Sequence, residues 1–299
     1  MFIGYLFILL SAAGFGVTPI FALYSYESGV TVSTLLFLRF SFASLLLFLY
    51  AFCKIKTWTI TKSEITAMFL LGGILFTVQS AFYFLSVQYI PVSLAVLLVY
   101  LYPILVSILS FFINREPISP AMLASIAISL LGMSFVLGSP SGKVDITGVL
   151  LAVGAAIVYA FFVVVGNRVT RQIPSIITSA FITLSAACSF FIWGMASDSL
   201  HFDFQSSGWW SILGVVVFST VLSMLTLFAG MNITGPTKAS ILSMVEPLIT
   251  ILLSVFLLDE KMSVTQMIGG GIILGGALIV VLSRERLDRA VQAKDESVR

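Results

Sequence analysis

The chain has 299 residues, of which 59% are hydrophobic and only 9% charged, with a formal net charge of +2. A soluble domain carries roughly 25% charged residues, so this composition excludes a water-solvated globule and a nucleic-acid binder, and points to a chain solvated by lipid. Two cysteines, Cys53 and Cys188, and one histidine, His201, supply neither a disulfide framework nor a metal-ligand cluster.

A hydrocarbon core of ~30 Å, at ~1.5 Å rise per residue, is crossed by about 20 apolar residues. The sequence predicts ten such spans, at 2–24, 32–53, 65–88, 91–113, 120–138, 147–166, 176–197, 209–231, 236–257 and 263–283. The first opens MFIGYLF with no basic region before it, which predicts a retained helix rather than a cleaved signal. Ahead of the third span, Thr61 to Glu64 (TKSE) fits a capping box, as does Ser263 to Gln266 (SVTQ) ahead of the tenth. Ser119-Pro120 supplies an N-cap with proline at the first helical position of the fifth. After the last span, residues 284–299 mix both charge signs and are expected to form a disordered cytoplasmic tail beyond a short helical extension.

Charge assigns the sides. With the N-terminus cytoplasmic, twelve basic residues fall in the inside loops and tail and two, Lys143 and Lys261, outside. That bias predicts both termini in the cytoplasm. The remaining basic residue, Arg39, falls within the second span.

The sequence also repeats. Displaced by 144 residues, YLYPILVSILSFFINREPIS (100–119) aligns with MVEPLITILLSVFLLDEKMS (244–263), bringing Pro103 onto Pro247, Glu116 onto Glu260 and Ser119 onto Ser263. From Ala95 to Gly132 eleven of 38 positions are identical, where about four would coincide by chance. The match extends upstream, with Gly4 on Gly148 and Ala12 on Ala156. The expected fold is an all-α membrane protein of ten transmembrane helices in two inverted five-helix repeats: 1–138, a connecting loop 139–146, then 147–283. Five helices per unit force the second unit to enter from the opposite side, an arrangement typical of secondary transporters with a mid-membrane site.

With these motifs in hand, the chain resembles the drug/metabolite transporter superfamily, and its EamA-type members in particular. The resemblance rests on the paired Pro103–Glu116 and Pro247–Glu260 spacings, on AAGFGVTPIF (12–21) in the first span, and on Arg39 in the second. Two departures stand out: phenylalanine where tryptophan is more usual in the first span, and Arg115 and Asp259 where a glycine commonly precedes each repeat-end glutamate. The resemblance implies export or exchange of small metabolites such as amino acids, without naming one.

The polar residues inside the spans are the candidate substrate site. Glu246 sits about ten residues from either end of the ninth span, hence at the midplane. An acid there costs roughly 2.5–3.5 kcal/mol and ordinarily faces a cavity or a partner. Ala239, Ser243, Glu246 and Thr250 have the spacing of one helical face, and Tyr102 is the repeat equivalent of Glu246. Arg39 has three readings: a surface arginine reaching outward, a salt-bridge partner for Glu246, or an anchor for a substrate carboxylate. Phe76, Gln79, Tyr83 and Ser86 share a face of the third span. Tyr159 in the sixth, Ser219, Ser223 and Thr226 in the eighth, and Ser11, Phe15 and Thr18 in the first are further candidates. Pro103 and Pro247 each lack an N–H and clash with the preceding turn, so both are expected to kink their helices and shape the cavity.

Several readings fail. GGGIILGG (269–276) lies inside a span with no strand before it and is not a nucleotide loop; Gly271 and Gly275 instead read as a close-packing face, with a homodimer as one outcome. No nucleophile elbow, histidine pair or productively spaced acid pair supports catalysis, and no cofactor is implied. The expectation is a secondary transporter in the cell (inner) membrane, exporting an amino acid or related compound. Its site would lie between spans 1, 3, 4, 6, 8 and 9 and comprise Glu246, Arg39, Tyr102, Gln79, Tyr83, Tyr159 and Ser243. A sugar, nucleotide-sugar or drug carrier of the same fold, or a membrane-embedded sensor, is the alternative.

Overall fold

The computed structural model describes residues 2–55, 60–86, 89–90, 92–115, 118–138, 145–171, 173–257 and 263–297. Glu116, Asp259 and Glu260, and the loop lysines Lys143 and Lys261, lie outside the described residues. Every regular element among the described residues is helical.

Among the described residues nine segments are long and apolar enough to cross a membrane: α1 Phe2–Glu27, α2 Val32–Cys53, α3 Lys62–Tyr83, α4 Leu94–Asn114, α5 Pro120–Leu137, α6 Ile146–Thr170, α7 Ser175–Ala196, α8 Gly208–Thr234 and α9 Pro236–Leu257. A last helix, α10, runs Val264–Ser297, with a shorter apolar stretch at Val264–Val280. Its backbone thus stays helical beyond the expected end of the span at 283. Three of the helix starts are those the sequence marks. Thr61 and Glu64 make both bonds of a capping box. Ser263 accepts from the Gln266 amide at 3.2 Å, and the Gln266 side chain accepts from the Ser263 amide at 2.9 Å. Ser119 caps α5, and Asp145 caps α6 through the Thr147 amide at 2.7 Å.

The outward surfaces are apolar: Leu49, Phe52, Ile192, Phe256, Leu274 and Leu278 are all more than half exposed. In water that would be an aggregation patch, whereas facing lipid it costs nothing. The inward surfaces carry small residues that let helices approach. On α1, a Cβ added to Gly4 would sit 2.7 Å from Thr234 and 2.9 Å from Ile233 of α8. Its counterpart 144 residues on, Gly148 of α6, would meet Tyr89 at 2.7 Å and Ile90 at 2.8 Å, themselves 144 residues before Ile233 and Thr234. Thus α1 packs on α8 as α6 packs on the α3 end.

Two further pairs join equivalent helices, and both run antiparallel. Along α2 and α7, Thr34 bonds to His201, Phe40 stacks on Phe190 at 5.7 Å, and Phe48 meets Phe181 edge-on at 5.2 Å. Along α5 and α10, Gly132 faces Gly269 and Ile273, while Gly276 faces Ser129 and Ser125. Within the chain the close approach is therefore made by Gly132, Gly269 and Gly276. The expected face of Gly271 and Gly275 meets nothing, since a Cβ on either has no neighbour within 4 Å.

Where the helices depart from α geometry, they do so in matched places. π-helical turns occupy Leu71–Phe76 in α3 and Val215–Leu222 in α8. α4 breaks between Val92–Val99 and Tyr102–Asn114, and α9 breaks between Pro236–Ser243 and Glu246–Leu257. Both π segments start, and both breaks fall, at the 144-residue offset. Pro103 and Pro247 follow the two α4 and α9 breaks, as the missing N–H of proline dictates. α1 has a break of its own at Val17, just before Pro19.

Candidate functional site

The breaks surround a cavity of about 430 Å³. Three elements present it with side chains that proline has re-aimed. In α4 the turn at Tyr100 and Leu101 closes with a bond from the Leu101 amide to the Leu98 carbonyl at 3.2 Å. An unbroken helix would point residues two apart to opposite sides; the turn brings both Tyr100 and Tyr102 to the cavity wall. In α9, the turn at Met244 and Val245 rotates Glu246, Pro247, Thr250 and Ile251 into the cavity. The stripe expected from uniform helical spacing is therefore split. Ala239 is 2% exposed inside the packed core, and Ser243 lies off the wall beside the Tyr102 side chain. In α1, Phe15, Thr18 and Pro19 flank the Val17 break and face the same space.

The remaining wall comes from Arg39 of α2, from Phe76, Gln79 and Tyr83 of α3, from Leu137 of α5 and from Tyr159 of α6, together with Val96 and Val99 of α4. Of the residues read from sequence, Glu246, Arg39, Tyr102, Gln79, Tyr83 and Tyr159 come together here, and Ser243 does not. α8 gives no side chain to the wall, and α2 and α5 take its place. Its serines are used in packing: the Ser223 carbonyl accepts from Ser11 at 2.9 Å, and Ser223 itself bonds back to Phe218 at 2.8 Å. Ser86 likewise turns onto its own helix, donating to the Tyr83 carbonyl at 2.7 Å.

Arg39 follows neither the snorkelling nor the salt-bridge reading. It is 9% exposed, donates from Nε to Thr220 Oγ1 at 2.7 Å and from Nη2 to the Ser219 carbonyl at 3.0 Å, and lies 5.0 Å over the Phe40 ring. Both acceptors sit in the π segment of α8. A π turn misaligns carbonyls from the i→i−4 ladder, which makes the Ser219 carbonyl available. Thr220 completes the arrangement by donating to the Val215 carbonyl at 3.0 Å.

Glu246 is partly buried, within hydrogen-bonding reach of the Tyr100 hydroxyl and within electrostatic range of Arg39. No ion pair joins it to any cation among the described residues. Its neighbours are aromatic. Tyr102 and Tyr159 meet edge to face at 4.7 Å, Tyr100 lies 6.0 Å from Tyr102, and Tyr159 stacks on Phe162 at 5.9 Å. The Tyr102 hydroxyl donates to the Ser240 carbonyl at 3.2 Å. Thr250 donates to the carbonyls of Gly16 at 2.9 Å and Glu246 at 3.2 Å, so the α1 and α9 breaks are joined at the cavity edge.

Sequence reasoning passed over Tyr100, whose signal was the Tyr-Leu-Tyr-Pro run itself: a proline there implies a break, and a break lets both tyrosines face one way. It also passed over Leu137, at the very end of α5, which carried no signal.

A lipid-facing helical body closed around an internal cavity with one acid and one arginine is a multi-pass membrane protein. The comparisons agree. The model of the EamA-like transporter family matches the chain twice, over residues 2–138 and 146–282, and the chain belongs to that family, within the drug/metabolite transporter superfamily. Its members are transporters rather than enzymes. The chain is 25% identical over 273 residues to the uncharacterized transporter YetK of Bacillus subtilis, covering 87% of this chain and 82% of that one. It is 26% identical over 216 residues to the aromatic amino acid exporter YddG of Ancylobacter novellus, covering 69% and 72%. A crystal structure of a protein with 20% identity superposes with a TM-score of 0.78, over 95% of this chain and 98% of the other. That likeness shows the fold.

Proposed function

We propose that the protein is a secondary carrier that exports a small amino-group-bearing metabolite, an amino acid or related compound, across the cell membrane by alternating access. One observation carries this reading: Glu246 and Arg39 line the same cavity on different helices and are not joined to each other. A buried acid without a cationic partner is costly, and an ammonium group entering the cavity offsets that cost. The name of the relative YddG, an aromatic amino acid exporter, points to the same substrate class.

Alternating access draws support from the packing. Equivalent helices α2 and α7, and α5 and α10, lie antiparallel, as two inverted five-helix halves with ten spans would place them. The distribution of basic residues supports a cytoplasmic location for both termini. Among the described residues Arg39 is the one cation on the cavity wall, thin provision for a phosphate-bearing nucleotide sugar.

The test is counterflow in proteoliposomes, with a pooled set of labelled amino acids and related metabolites given to wild type and Glu246→Gln. Saturable uptake by wild type alone is the expected result. Equal uptake by both removes Glu246 from the mechanism. Saturable binding without any flux makes the protein a sensor and ends the carrier reading.

A further inference from the structure

The two charges on the cavity wall are not equally free. Arg39 spends Nε and Nη2 on Thr220 and Ser219 and rests on the Phe40 ring, so it is committed to joining α2 to α8. Glu246 has the hydroxyl of Tyr100 beside it and no ion pair among the described residues. Around that carboxylate stand Tyr100, Tyr102 and Tyr159, with ring centroids 6.0 and 4.7 Å apart in sequence, at tilted and edge-to-face angles of 51° and 71°. Rings set at such angles present both faces and edges to the enclosed space. An aromatic face attracts a desolvated cation, and several rings beside one carboxylate make a cage for a positively charged nitrogen.

The hydroxyl chemistry fits the same guest. The Tyr100 hydroxyl stands beside Glu246, and Tyr102 directs its proton to the Ser240 carbonyl. The lone pairs of the Tyr102 oxygen therefore remain as acceptors, which suits an N–H donor and repels an anion. Beyond the cage the wall turns apolar, with Phe15, Val99, Leu137 and Ile251. Thr250 has already given its single proton to backbone carbonyls.

Resting on the carrier reading above, we propose that the group this site recognises is a cationic nitrogen held by Tyr100, Tyr102, Tyr159 and Glu246. The substrate class is an amine on an aromatic or branched apolar body. The carboxylate of an amino acid is dispensable, because the amine carries the recognition and two of the Arg39 donors are already tied to α8.

Three probes of one shape separate the charges: 2-phenylethylamine, L-phenylalanine and 3-phenylpropionate. Each is titrated against the purified, detergent-solubilised full chain, following the ligand-dependent rise in Tm. The amine and the zwitterion are expected to stabilise wild type at comparable concentrations, and the acid is expected not to. In Glu246→Gln the rise with the amine disappears. Tyr159→Phe, which keeps the ring, retains affinity, while Tyr159→Leu weakens it by roughly ten- to thirty-fold, the scale of one desolvated cation–π contact. The Tyr159 hydroxyl makes no hydrogen bond among the described residues, so this pair reads the ring. Should Tyr159→Leu not fold, the wild-type series decides. Stabilisation by phenylalanine but not by phenylethylamine, stabilisation by phenylpropionate, or none by any probe overturns the inference. Counterflow of the amino-acid pool is read separately, so carriage can stand while the cage falls.

Discussion

Arg39 gives the sharpest energetic test, because the conservative substitution should be the worse one. Its guanidinium makes two charge-assisted hydrogen bonds, at 2.7 Å to Thr220 Oγ1 and 3.0 Å to the Ser219 carbonyl, each contributing about 1.5–3 kcal/mol. Arg39→Lys keeps the charge in a site that is 9% exposed. It replaces a planar fork with a point donor, which serves one acceptor well and not both. The charge stays desolvated with half its compensation, a loss of about 2–4 kcal/mol. Arg39→Met gives up both bonds, but it also removes a buried ion whose desolvation costs several kcal/mol. Thr220 stays satisfied by donating to Val215. The net loss for Met is then about 0–2 kcal/mol. Equilibrium unfolding of the three proteins by SDS in mixed micelles measures the order. A lysine variant as stable as wild type, or a methionine variant less stable than the lysine one, refutes the fork as the source of stability.

Other expectations follow from local geometry. Arg115 ends α4 in the left-handed region at φ 57°, where a side chain is strained and glycine is not. Arg115→Gly should therefore raise stability by about 0.5–1 kcal/mol in thermal unfolding, and a fall would show that the side chain is needed. Gly132→Ala places a Cβ 2.7 Å from the Gly269 carbonyl, pushing α5 and α10 apart at about 1–3 kcal/mol. Gly271→Ala meets nothing and should stabilise the helix by up to about 1 kcal/mol in the same assay; equal losses at both sites would contradict the packing described. At the N-cap of α6, the Thr147 amide holds the Asp145 carboxyl below its ordinary range. The cap's contribution is thus present above the ordinary carboxylate pKa and is lost as pH falls through the lowered value. Hydrogen exchange at the Thr147 amide should quicken, relative to its intrinsic rate, on acidification below about pH 4, and Asp145→Asn should lose that dependence.

The spans were legible because lipid demands long apolar runs, and their starts because capping depends on residues a few positions apart. Thr61, Ser119 and Ser263 all cap the helices that follow, while the Asp145 cap of α6 emerged only in the structure. What periodicity could not give was the aim of side chains past a break. It joined Ser243 to Glu246 on one face, and the two-residue turn at Met244 and Val245 separates them. It passed over Tyr100 because it treated α4 as continuous. The partners of Arg39 were hidden differently: one is a backbone carbonyl freed by a π turn, and no side-chain pattern records that. The glycine common before the repeat-end glutamate is explained at Arg115, which adopts the conformation in which glycine is unstrained.

The π segments in α3 and α8 make length, rather than composition, the sensitive property of those helices. Each accommodates one residue more than the α-turns on either side. Deleting a residue such as Val217 lets the i→i+5 bonds relax to the ordinary ladder, so the flanks of α8 keep their relative facing while the residues of the segment itself are re-aimed. The span stays as apolar as before, and its caps are untouched. Thr220 and the Ser219 carbonyl, however, turn away from Arg39. A relative with a one-residue gap at either segment would thus present a different wall to its cavity, even with every wall residue conserved.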